Sequence, residues 1–168
     1  DEAKMKSVLV AMPQHRNVHG KLFGGHIMRK AYELAYSNIT VSSGKPCFCT
    51  AIDDIQFLNP VNIGSIFKLS SHVVYSKDSY SIVRVYASVH DTGSGDIDIF
   101  YQSFSKNPIT TNTCYFVFQS LDFSKMPEVI AKSYGEALLQ IEGKRILYQQ
   151  IEYDNLKNGL RFIKQIQW

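Results

Sequence analysis

The sequence predicts an α+β domain, on three observations. One apolar stretch has helical spacing: Ile27, Met28, Ala31, Leu34, Ala35 and Ile39 recur every three or four residues. Runs of β-branched and aromatic residues separated by turn residues follow it. The chain has 168 residues, 45% of them hydrophobic and 20% charged, which suits one domain with a real core. A helix followed by a run of strands separates the two kinds of element, as α+β folds do.

The elements are justified in order. Ser7–Met12 has the composition of a short edge strand, ended by Pro13. Residues 14–23 are polar and read as a loop. The helix follows and is stopped by Ser42-Ser43-Gly44-Lys45-Pro46. Phe48–Leu58 reads as a strand ending before Pro60. Ser65–Tyr75 and Tyr80–His90 alternate and are joined across Ser76-Lys-Asp-Ser79, a hairpin turn. Thr113–Leu121 is the last strand. Asp91–Asn112 is rich in Asp, Gly, Ser, Thr and Asn and reads as an insertion loop, partly ordered by Ile97–Tyr101. Glu128–Lys132, Tyr134–Glu142 and Tyr153–Ile166 each have helix-like spacing. Residues 1–126 are therefore expected to form the main domain, and 127–168 its C-terminal helical extension.

Composition narrows the partners. Net charge is +3, and no Lys/Arg run exceeds two residues. That argues against nucleic acid and permits an anionic small molecule. Cys47, Cys49 and Cys114 are too few, and odd in number, for a disulfide framework, so a reducing compartment is expected. No apolar run reaches the roughly 18 residues of a membrane span. The chain begins at Asp1 without a signal peptide, so it is expected to be an excised piece. Asn38-Ile-Thr40 fits a glycosylation sequon, read here as chance.

Chemistry concentrates at the start of the helix. Gly24-Gly25 joins the polar loop to the apolar stretch. Glycine lets backbone approach a ligand closely, and the first amides of a helix lack intrahelical acceptors. Such amides stabilise a carbonyl oxygen that gains negative charge. Asn17, just upstream, is placed to hold a water or a carbonyl. The residues therefore point to an acyl-group site with an oxyanion hole. Plainer alternatives stay open: the Gly pair permits close packing, and Asn17 caps its own loop. His15, His19 and His26 fall within twelve residues but lack zinc spacing, so no metal is expected. Cys47 and Cys49 point the same way on a strand with no base in view. Asp53 and Asp54, adjacent on a strand, face opposite sides and are no shared-proton pair.

The ordered set Asn17, Phe23-Gly-Gly-His-Ile-Met-Arg-Lys-Ala-Tyr-Glu-Leu-Ala-Tyr36, Asp53 and Phe57-Leu-Asn-Pro-Val-Asn-Ile-Gly64 resembles the hotdog-fold acyl-CoA thioesterases. It is most similar to the second hotdog repeat of the mitochondrial acyl-CoA thioesterase 9 group. The resemblance runs from about Ala11 to Gly143, with a gap near residues 92–111. It implies a long helix wrapped by a curled antiparallel sheet, and hydrolysis of fatty acyl-CoA to free fatty acid and coenzyme A. It implies no cofactor, and coenzyme A enters only as part of the substrate. It implies mitochondrial placement, with cytoplasm as the alternative. It also implies pairing with another hotdog unit, either in an oligomer or as a preceding repeat.

The resemblance assigns Asn17, Gly24 and Gly25 to catalysis. The family's acid lies nine residues after the position of Phe23, and Tyr32 stands there. Glu33 is next, about 100° further around the helix. It is either a base of raised pKa or a surface carboxylate paired with Arg29 or Lys30. Alternatively, an absent repeat supplies the acid. His19 and Phe23 are expected near the thioester. Arg84 and Lys77, with Lys68, are expected near the anionic end of coenzyme A. Two other functions remain open. One is a hotdog hydratase or dehydratase using His19 and Glu33. The other is a non-catalytic acyl-CoA-binding repeat.

Overall fold

The computed structural model describes residues 3–90 and 109–166, with backbone only at 90, 154, 155 and 157–166. Five strands form one antiparallel sheet in the order β1-β3-β4-β5-β2. They are β1 (Lys4–Val10), β2 (Cys47–Phe57), β3 (Ile66–Lys77), β4 (Tyr80–His90) and β5 (Ile109–Ser120). Helix α1 (Gly24–Ser43) lies in the curl of the sheet, and α2 (Tyr134–Ile166) crosses the opposite face.

Strand alternation sorts the two faces. Phe67, Leu69 and Val73 of β3, Val83, Val85 and Ala87 of β4, and Cys114, Phe116 and Phe118 of β5 pack with Ile27, Ala31, Leu34, Ala35 and Ile39 of α1. Their neighbours Val74, Ile82, Tyr115 and Val117 face the other way, against Ile146 and Leu147 of α2. The hotdog arrangement thus has a helix on each face of the sheet. Gly44 ends α1 in the left-handed conformation (φ 65°), its N–H donating to Thr40 O at 3.0 Å.

Four expectations change. β1 spans Lys4–Val10 rather than Ser7–Met12, because its pairing with β3 runs from Lys4 opposite His72 to Val10 opposite Ile66. β5 begins at Ile109 rather than Thr113. Thr110 and Asn112 pair with Ser88 and Ala87, so a polar stretch that reads as loop completes the sheet. Glu128–Lys132 forms no helix; Val129 packs on the core and its carbonyl accepts from Gln140 Nε2 at 2.8 Å. Tyr134–Glu142 and Tyr153–Ile166 are one 33-residue helix. It passes through Gly143, where an added Cβ would lie 2.9 Å from both Val74 Cγ2 and Tyr75 Cβ. Asp91–Pro108, with Ile97–Tyr101, lies outside the described residues.

Candidate active site

The loop before α1 is built on Asn17. Its Oδ1 accepts from the backbone amides of His19 (2.9 Å) and Lys21 (3.0 Å). Its own amide donates to Lys21 O at 2.7 Å, and Gly20 N–H donates to Asn17 O at 3.1 Å. The loop-capping reading therefore describes what the side-chain oxygen does. The Nδ2 group has no partner among the described residues. Only its donor end is free for a ligand.

The Val61–Gly64 segment holds this loop in place. Leu22 N–H donates to Val61 O at 2.9 Å, and Lys21 Nζ donates to Asn62 Oδ1 at 2.6 Å. Gly64 takes φ 89°, open to glycine and strained for other residues, and its N–H reaches Ala11 O at 2.8 Å. The paired family motifs are thus two sides of one loop junction.

Helix α1 starts with Phe23 as its N-cap, and no side chain caps the first turn. The amides of Gly24 and Gly25 have no acceptor among the described residues, so the positive end of the helix is bare. The Gly pair also serves packing. A Cβ on Gly24 would stand 3.0 Å from the Phe57 ring, and one on Gly25 would stand 2.5 Å from the Phe23 ring. The close-packing reading of the pair therefore holds, and the amides stay uncovered beside it. Phe23 is 58% exposed beside these amides.

His19 is exposed on the same loop. The ring of His15 stacks on His26 with centroids 3.7 Å apart. Burial, then the nearby charges of His15, Lys30 and Arg29, lowers the pKa of His26. Among the described residues no cluster of three His, Cys, Asp or Glu side chains could hold a metal. Burial raises the pKa of Cys47 and Cys49, which opposes thiolate formation.

Glu33 takes the surface-pair alternative. Lys30 Nζ donates to one carboxylate oxygen at 2.8 Å, and Arg29 Nε to the other at 3.0 Å. Those hydrogen bonds hold the carboxyl below its ordinary pKa, the opposite of a base with a raised value. Glu33 is also eight residues beyond Gly25, about 12 Å along the helix. Tyr32, at the family's acid position, packs with Tyr36, Phe116 and Phe118 at centroid distances of 6.0–6.3 Å.

The remaining candidates lie elsewhere. Arg84 alternates with Val83 and Val85, so it faces away from α1. Lys77 ends β3, its Nζ donating to the Tyr148 hydroxyl of α2 at 2.8 Å. One chain does not bring either to the start of α1. Asp53 is likewise on the α2 side, opposite Tyr115, where a bulge at Asp54 (φ 49°) breaks the regular alternation. The sequence reading missed the aromatic cluster on Tyr32. It also missed the row Lys4, His72, Arg84, Tyr115 across the sheet, which strand alternation would have found.

Known proteins decide the family. The mouse protein "Acyl-coenzyme A thioesterase 9, mitochondrial" is 37% identical over 145 residues, 86% of this chain. The chain belongs to the hotdog-fold acyl-CoA thioesterases. It spans 30% of that relative's length. Among solved hotdog structures, an acyl-CoA hydrolase from Staphylococcus aureus, in complex with butyryl coenzyme A, coenzyme A and coenzyme A disulfide, superposes with TM-score 0.77. It is 21% identical, with 99% of this chain and 96% of that one covered. An apo-hexameric acyl-CoA thioesterase gives TM-score 0.77 at 14% identity over 91% of this chain and 94% of that one. No family model matches the chain.

Proposed function

We propose that this chain is the thioester-binding hotdog unit of an acyl-CoA thioesterase, which converts fatty acyl-CoA and water to fatty acid and coenzyme A. The observation that carries the reading is the bare start of α1 beside the free Nδ2 of Asn17. The thioester oxygen sits on the Gly24 and Gly25 amides. These donors meet the charge that develops on that oxygen when water attacks. Asn17 orients the carbonyl or the water as a donor, since its oxygen is already used. Phe23 and His19 flank the reacting group. No metal or cofactor takes part.

The general base comes from a second hotdog unit. Tyr32 stands at the acid position, Glu33 is ion-paired, and both lie about 12 Å from the amides. The second unit docks along β2, the edge strand next to the exposed face of α1. Tyr32, Tyr36, Ile52, Ile55 and Phe57 are all exposed there. Hexameric assembly of a structural neighbour supports pairing, and the relatives' remaining length has room for another unit. The S. aureus neighbour's bound butyryl coenzyme A supports the substrate class. The name of the mouse relative supports mitochondrial placement. Among the described residues no helix is long and apolar enough to cross a membrane.

Tyr32 also favours a second reading, a repeat that binds acyl-CoA and leaves hydrolysis to another unit. Thiol release from short to long acyl-CoAs, measured with this chain and with Asn17→Ala, tests both. A loss of about 10²-fold or more in the variant is expected if the chemistry occurs here. Binding without release favours the second reading, and absence of binding rejects both.

A further inference from the structure

The outer face of the sheet carries a second polar site that thioester chemistry does not use. Two cross-strand rows meet there. Lys4, His72 and Arg84 stand opposite one another across β1, β3 and β4, and Lys6, Ser70 and Tyr86 form the next row. These residues line an open depression whose rim is the start of α2 at Ser133–Glu136. The sheet separates it from Gly24 and Gly25, because Val83 and Val85, on either side of Arg84, pack beneath α1.

Among the described residues, two groups in this depression lack a partner. Arg84 Nε is buried with no acceptor, and no carboxylate pairs with Arg84 among the described residues. Its guanidinium carbon lies 5.2 Å from the Tyr86 ring centroid, which holds the planar group in place. Ser70 is 4% exposed, and its Oγ has no partner. A buried guanidinium N–H and a buried hydroxyl without partners are each costly in water-poor surroundings. Among the described residues the only acid lining the depression is Glu136, already satisfied by Lys4 Nζ at 2.6 Å and Lys132 N–H at 2.8 Å. Those bonds hold its carboxyl down at about 2. Lys6 and Arg84 are left as an excess of positive charge. The start of α2 is capped and adds no free donor from Glu136 or Ala137, because Ser133 Oγ accepts from Glu136 N–H at 3.2 Å and Ser133 O from Ala137 N–H at 2.9 Å.

We infer that this depression binds a phosphate group, separately from the thioester site. Phosphate matches the donor set: a planar guanidinium, an ammonium and a hydroxyl line one depression. The phosphate belongs either to a nucleotide or to free inorganic phosphate.

Calorimetric titration of the chain with inorganic phosphate, adenosine 3′,5′-bisphosphate and adenosine tests this. Saturable binding of at least one phosphate probe, and none of adenosine, is expected. It should weaken tenfold or more in Lys6→Ala and in Arg84→Gln, and stay unchanged in Asn17→Ala. Ser70→Ala, expected to weaken binding, stands in if Arg84→Gln fails to fold. Preference for the bisphosphate assigns the site to a nucleotide; equal binding of both assigns it to the phosphate alone. No saturable binding, binding indifferent to Lys6→Ala and Ser70→Ala, or binding lost in Asn17→Ala overturns the inference. Thiol release is not the readout, so failure here leaves the proposed hydrolysis standing.

Discussion

The two helices cover opposite faces of one sheet in unlike ways. Helix α1 buries Ile27, Ala31, Leu34, Ala35, Asn38 and Ile39 over 20 residues, and all five strands contribute to the cluster around it. In α2, Leu139, Gly143, Ile146, Leu147 and Ile151 meet the sheet, while Tyr134, Leu138, Ile141 and Tyr148 stay exposed. The first helix is the middle of the core, and its start is held by a loop hydrogen-bonded on both sides. The second lies on the surface and is seated by a close approach at one glycine. A reactive group needs fixed geometry, which α1 provides. A surface helix with fewer buried contacts opens at lower free energy.

Substitutions can break or sharpen that contrast. Ile39→Ala removes a fully buried side chain from the α1 cluster and is expected to cost about 2–5 kcal/mol, read by chemical denaturation. Gly143→Val is expected to cost about 1–3 kcal/mol by forcing a side chain into Val74 and Tyr75. Hydrogen exchange should then show lost protection in α2 with α1 still protected. Equal loss in both helices would contradict the contrast. Glu33→Gln touches exposed ion pairs, and its stability change should stay below about 1 kcal/mol. Hydrolysis should also persist in that variant. The hydrogen bonds from Lys30 and Arg29 lower the pKa of Glu33, so any acid limb from it would lie below that of an ordinary glutamate. A loss of rate comparable to Asn17→Ala would instead make Glu33 the base.

Much of this molecule was legible in the sequence. The three- and four-residue spacing of α1 marks its buried face because a helix has no other way to line one side. The alternation in β3 and β4 sorts the two faces for the same kind of reason. Asp54 was not legible. A single positive φ at an Asp shifts the register of β2, and Asp tolerates that conformation without announcing it. The start of β5 was hidden because Thr and Asn there pair within the sheet despite a loop-like composition. At the site, Gly24, Gly25 and Asn17 stood out by order and spacing. The ion pairs of Glu33 were readable from Arg29 and Lys30 one turn earlier. Which end of Asn17 is free was not readable, since it depends on how the loop folds back to Lys21. Nor was the face of Arg84 weighed, although alternation fixes it.

The missing cap on α1 has a consequence for anyone who selects this protein for heat tolerance. An Asp or Ser in place of Phe23 would supply the oxygen that the first turn lacks, for a gain of about 1 kcal/mol. On the proposed function, that oxygen would compete with the thioester for the Gly25 amide. Selection for a higher melting temperature would thus reward a change that weakens the proposed hydrolysis. Thermostable variants should therefore be screened for turnover at position 23 before any other.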